Sequence, residues 1–165
     1  MVEIDYRLSL DRAMKPGEVN LAEVDEMTLR YSVFLGDVVF KADGADFSTH
    51  WGWVPMLDFA ICLLSVLDDL SAGKEQSSIE FTESDAELVF RSRHGLVLIT
   101  SSYNNNHAST SYRELEDAFV AFSIKVFSDF HRLNPEASQN AAIRRLQERY
   151  RFYSDCPQSN RRASD

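Results

Sequence analysis

Cysteine is almost missing from this chain, with two in 165 residues, Cys62 and Cys156. Cys62 lies in an apolar run and reads as a small core residue, while Cys156 belongs to a polar tail. Such a pair offers no disulfide framework and suits a reducing compartment. Neither cysteine has a metal-type neighbour. His50, His94, His107 and His131 fall in four separate segments without the short spacings of zinc sites, so no metal is expected. Glycine is scarce as well, at 6 residues. None builds a phosphate-cradling loop, and no G-x-S-x-G nucleophile turn occurs, so neither a cofactor nor catalysis is expected. Ser101, Ser102 and Tyr103 read as a strand end. The longest apolar stretch, Val54 to Leu67, is about 14 residues and contains Asp58, against roughly 20 for a spanning helix. Met1-Val-Glu-Ile-Asp-Tyr6 has no basic, then apolar, leader pattern. The expectation is a soluble, cytoplasmic protein.

Basic residues are the most unevenly supplied. Residues 1–90 hold 18 Asp/Glu and 6 Lys/Arg, a balance of −12; residues 91–165 hold 8 and 11, a balance of +3, which together give −9. An acidic half repels phosphate and attracts basic surfaces, which disfavours nucleic acid and favours a basic partner. Disorder is excluded by 44% hydrophobic residues and by 11 Phe, 2 Trp and 6 Tyr. The length suits one domain with a core of its own. It is placed at residues 1–153, with 154–165 as a flexible tail.

Val2, Ile4, Tyr6, Leu8 and Leu10 alternate with polar residues, as in a strand with one buried face. Met14 to Asp25 reads as a loop. Leu29, Tyr31, Val33 and Leu35 alternate again, Gly36-Asp37 interrupts, and Val38 to Lys41 resumes, a pattern that predicts a hairpin ended by Asp43-Gly44. Pro55 opens a helix over Met56 to Leu70, apolar nearly all the way round and therefore enclosed, with Gly73 as its stop. Strands are expected at Ser78–Thr82, Ala86–Arg93 and Leu96–Tyr103, followed by a polar loop at Asn104–His107. Ser111-Tyr-Arg-Glu114 matches a capping box, and Leu115, Phe119, Phe122, Val126 and Phe130 mark an amphipathic helix behind it. Asn134-Pro135 breaks that helix. A last helix follows, with Ala142, Ile143, Leu146 and Tyr150 on one side and Arg144, Arg145, Arg149 and Arg151 on the other. These arginines read as a solvated face before a phosphate site. The fold expected is α+β, one mostly antiparallel sheet of five or six strands with a buried central helix and C-terminal helices on one face.

Two groups of residues stand out as candidate sites. The first is acidic: Asp37, Asp43 and Asp46 around the hairpin, Asp68, Asp69 and Glu75 at the central helix end, and Glu80 and Glu83 in the strand pair beyond. From Asp37 to Glu87 only Lys41 and Lys74 interrupt the acids. The second is a possible pocket at Trp51, Trp53 and Asp58. The tryptophans flank Gly52 and alternation sends them to the same side, to line a pocket mouth, to anchor an interface, or simply to close the core. Asp58 can be an acid or base with a raised pKa; the plainer reading places it on the N-terminal dipole of its helix.

The run from Val38 to Leu70 (strand, Asp43-Gly44, aromatic-proline stretch, apolar helix) continues into Glu80-Phe81-Thr82, a strand pair, and Ser111-Tyr-Arg-Glu-Leu115 opening a long helix. This order over roughly residues 28–133 resembles the small α+β immunity proteins of bacterial polymorphic toxin systems. The resemblance implies a non-catalytic protein that neutralises a cognate toxin by tight binding. The acid excess fits a basic, nuclease-like one. A small-molecule-binding or enzymatic domain using the Trp51, Trp53 and Asp58 cleft is the alternative, or an adaptor subunit of a stable complex.

Overall fold

The computed structural model describes residues 1–11, 18–82 and 84–155, with side chains to residue 148. Its elements are β1 (Val2–Leu8), α1 (Glu26–Ser32), β2 (Leu35–Ala42), β3 (Ala45–Asp46), β4 (Val54–Pro55), α2 (Met56–Ser71), β5 (Gln76–Glu80), β6 (Glu87–Arg93), β7 (Leu96–Ser101), β8 (His107–Ser111), α3 (Tyr112–Leu133), a 3₁₀ turn (Pro135–Gln139) and α4 (Ala141–Asp155). The fold is a single α+β domain. Its strands form two antiparallel sheets of four rather than one sheet of five or six. In the first sheet β2 pairs with β1, β3 and β4; the second is a simple β5-β6-β7-β8 meander.

The expected hairpin over Leu29–Lys41 does not exist. Residues 26–32 are helical and β2 runs straight through Gly36 and Asp37. The alternation at Leu29, Tyr31 and Val33 is a coincidence with helical spacing, since Leu29 and Val33 are one turn apart and both buried. Asp25 caps this helix, its carboxylate accepting from Thr28 N at 2.9 Å. Gly36 is a packing glycine, not a turn: a Cβ there would lie 2.2 Å from the Arg7 carbonyl oxygen on β1. The true hairpin turn is Asp43-Gly44 between β2 and β3, both residues with positive φ (47° and 82°), as a two-residue loop of the twisted type requires. Strand β8 begins at His107, where the sequence predicts a polar loop, and the residues after it carry no strand signal of their own.

The helices conform more closely to the sequence. Ser111 and Glu114 form the expected reciprocal capping box at α3, and Gly73 (φ 86°) follows the end of α2. Helix α4 reaches Asp155, so most of the proposed tail lies outside the described residues.

Helix α2 is buried at Leu57, Ile61, Leu63, Leu64 and Leu67 alike because elements enclose it on several sides. It packs against α3 and α1 and touches β5, β2 and β4. Helix α3 meets β1 and β8. One side chain joins the sheets: Phe119 on α3, fully buried, sits 6.0 Å from the Phe40 ring of β2 and 5.6 Å from the Phe90 ring of β6, edge-on to both. The cores of the two sheets are therefore continuous.

Candidate partner-binding surface

Beyond Asp46 the chain runs back alongside β2 without regular strand geometry. Phe47 N donates to Phe40 O, Thr49 N to Val38 O, and Thr49 Oγ1 accepts from Val38 N. This return path brings Trp51-Gly52-Trp53 to the end of β2 where α2 begins. Asp37 holds it there, accepting from Gly52 N at 2.7 Å. Gly52 needs its positive φ of 69° to turn between the indoles. Trp51 and Trp53 stack at 4.9 Å with their planes 12° apart, and so lie on one side as alternation requires. Trp51 is the inner ring, edge-on to Phe81 (5.1 Å) and Tyr103 (5.2 Å). Both indoles are half-buried.

The second sheet meets this loop through polar seams. Tyr103 donates its hydroxyl to the Phe47 carbonyl at 2.6 Å, and the amides of Asn104 and Asn106 both donate to the Asp46 carbonyl. Burial, with the Asp46 charge adding to it, pushes the Tyr103 phenol well above its usual range. Asp46 itself is exposed, and Ser48 holds its carboxyl below the usual range by donating two hydrogen bonds to it, from hydroxyl and backbone N–H.

Asp58 is buried in the first turn of α2, where the plainer reading places it, and it is ion-paired as well. Arg30 of α1 donates to its Oδ1 from Nε (3.0 Å) and Nη2 (2.5 Å), and Cys62 Sγ lies 3.8 Å from Oδ2. Burial pulls the Arg30 guanidinium down, and the bond and charge of Asp58 more than restore it. Glu26 stands 3.6 Å from Arg30 and 3.6 Å from Arg145, so a chain of charges ties α1 to α2 and α4. Asp58 is thus a tie between helices. The cleft beside it, lined by Val54, Pro55, Asp58, Cys62, Glu80 and Phe81, encloses about 10 Å³, room for one water at most. The tryptophans do not line it.

The acidic residues separate into used and presented groups. Asp37 is half-buried and committed to Gly52, with Thr49 Oγ1 3.5 Å away. Asp69 is half-buried and binds Lys74 (2.6 Å) and Ser77 (2.8 Å), which together hold its carboxyl low. Asp43, Asp46, Asp68, Glu75 and Glu80 are exposed. Glu83 lies outside the described residues. Asp37 stands apart from the acids at the hairpin turn. Asp37 and Asp43 sit at opposite ends of β2, about 20 Å apart along the strand. Asp68 and Asp69 are at the far end of α2, about 20 Å from the tryptophan loop that precedes it.

Sequence reasoning missed one participant. Arg30 carries no signal of its long-range partner, although Glu26 four residues before it marks a helix face. Glu87, one of the acids that crowd the strand pair in the sequence, stands directly opposite Glu80 across β5 and β6, placing two carboxylates side by side. Among the described residues no group of three or more His, Cys, Asp or Glu could hold a metal ion, and no helix is long and apolar enough to cross a membrane. No family model, curated protein or solved structure matches the chain.

Proposed function

We propose that this protein is a non-catalytic binding protein that acts in the cytoplasm by neutralising a basic partner, in the manner of an immunity protein against a nuclease-like toxin. The observation that carries the reading is the Glu80–Glu87 pair within an acidic segment. Like charges directly opposite on neighbouring strands destabilise a sheet, and a cationic partner relieves that repulsion. The surrounding balance supports the same reading. Of the two bases between Asp37 and Glu87, Lys74 is already paired with Asp69, which leaves the exposed acids in large excess. Charge of this kind speeds and selects the encounter more than it adds affinity. A cleft with room for one water gives the small-molecule alternative little support.

The test is capture of the partner from the source cells, identification by mass spectrometry, and association kinetics with the purified partner. Reversing Asp43, Asp46, Asp68 and Glu75 to Lys should slow association strongly at low salt. The difference should close as ionic strength rises and the screening length falls below roughly 10 Å. Folded wild type and variant associating at equal rates at every salt concentration would remove the electrostatic reading.

A further inference from the structure

We infer that the basic partner docks along the edge of β5, laying an extended segment with a cationic side chain there as an added antiparallel strand, an inference that rests on the basic-partner reading above. Strand β5 ends its sheet. Its ladder to β6 fixes which backbone groups face outward. Ser92 N donates to Glu75 O and Phe81 N to Ala86 O, and the register between these two pairs is unbroken. Alternate residues of an antiparallel strand bond to alternate sides. Glu75, Ser77, Ile79 and Phe81 therefore bond to β6, while Gln76, Ser78 and Glu80 turn their N–H and C=O groups to the edge. These three are also the exposed residues of the strand. Among the described residues no backbone hydrogen bond reaches their outward groups.

Edges are ordinarily blunted by a lysine, a proline, a bulge or a cover. Strand β1, which ends the other sheet, is blunted: the Asp5 carboxylate accepts from the outward Tyr6 N–H at 2.8 Å and is itself held by Lys125. Strand β5 has neither proline nor bulge, and Lys74 just before it is turned to Asp69. Such an edge accepts a strand through main-chain bonds, and side chains supply the selectivity. The charges along it choose the occupant. At one end Arg91 Nε donates to Gln76 at 2.8 Å; at the other Glu80 stands opposite Glu87. An antiparallel neighbour sets one side chain about 5 Å from Glu80, and a cation there meets the acid pair. A second copy of β5, paired about Ser78, would set Gln76 opposite Glu80 and leave the pair uncompensated. Val54 and Pro55 face Glu80 and Phe81 across the narrow cleft and bound the site beyond Glu80.

The probe is a short blocked peptide of threonine and valine with one arginine near its N-terminus. Its relatives carry citrulline for arginine, or N-methyl groups on one or the other alternate set of amides. Titration at low salt is followed through backbone amide shifts and hydrogen exchange. The arginine peptide should slow exchange at Gln76, Ser78 and Glu80. One N-methyl set should abolish binding and the other be tolerated, and citrulline should weaken it. Glu80→Gln should weaken binding about two- to five-fold. Ser78→Pro should weaken it roughly tenfold or more, and it keeps the ladder because that N–H makes no bond to β6. The N-methyl pair poses the same question without altering the protein. N-methyl relatives that bind alike, with shifts at Asp43 or Asp68 instead, would overturn strand addition and leave a basic partner in place. Exchange at β5 that slows with protein concentration alone would assign the edge to a second copy and overturn this occupant. Arginine and citrulline peptides that bind every acidic surface equally would overturn the basic-partner reading as well.

Discussion

Replacing Phe119 by alanine tests whether the two sheets share one core. The ring is fully buried and edge-on to Phe40 in one sheet and Phe90 in the other. Removal of a buried phenylalanine costs about 3–5 kcal/mol from lost transfer energy and the residual cavity. Each aromatic pair adds about 0.5–1.5 kcal/mol beyond its buried area, which places this site at the upper end, near 5 kcal/mol. That is a large part of the roughly 5–15 kcal/mol available to a domain of this kind. In urea, with a slope of about 2 kcal/mol per molar, the midpoint should fall by about 2.5 M. Phe119→Leu, which keeps most of the volume, should cost about 1.5 kcal/mol or less. Indole fluorescence reports the junction at Trp51, and far-UV circular dichroism reports both sheets. The two curves should coincide in wild type and leucine variant, because neither sheet has a separate core. A loss for Phe119→Ala below about 1 kcal/mol, or one probe unfolding well before the other, would refute the bridging role.

Other perturbations test narrower points. Asp58→Ala strands the half-buried Arg30 guanidinium; since that side chain keeps some solvent access, the cost should be about 2 kcal/mol, between surface and buried pairs. A double-mutant cycle with Arg30→Met should recover most of it, and additive losses would break the proposed coupling. Gly36→Ala drives a Cβ against the Arg7 carbonyl, a backbone atom that cannot yield alone. It should cost about 3 kcal/mol or more and raise amide exchange along β1, and protection equal to wild type would contradict the packing argument. Stability should fall with acid in two stages. Burial lowers the His131 pKa from 6.5, so its contribution is present above about 6.5 and fades as pH falls through the lower folded value. Hydrogen bonds from Thr110 and Ser111 hold Glu114 at about 2, so its share is present above about 4.5 and is lost between there and about 2. Denaturation midpoints from pH 8 to 2 check both stages, and Glu114→Gln should flatten the lower one.

The parts of this fold visible in the sequence are those set by local rules. The capping box at Ser111 and the stripe Leu115–Phe130 specify α3 without reference to anything else, and the all-round apolar surface of α2 foretells its enclosure. Helix α1 was hidden because seven residues carry too few turns to separate a period of two from one of 3.6. What secures that helix is Arg30 reaching Asp58, 28 residues away. Gly36 read as a turn because its clash partner lies on another strand. Strand β8, His-Ala-Ser-Thr-Ser, turns only Ala108 and Thr110 inward, too little apolar signal to register. The candidate surface was half legible. The sequence shows where acids are abundant, but the division into presented and committed carboxylates depends on contacts such as Gly52 to Asp37 that only folding creates.

The seam between the sheets is fastened at the backbone. Tyr103, Asn104 and Asn106 donate to the carbonyls of Phe47 and Asp46, groups that every residue possesses. The acid at position 46 can therefore be rewritten while those three bonds stay in place; its side chain's own tie is a short one to Ser48. A lineage under pressure to track a changing partner could alter the charge on this rim one letter at a time, with the joint underneath indifferent to the spelling.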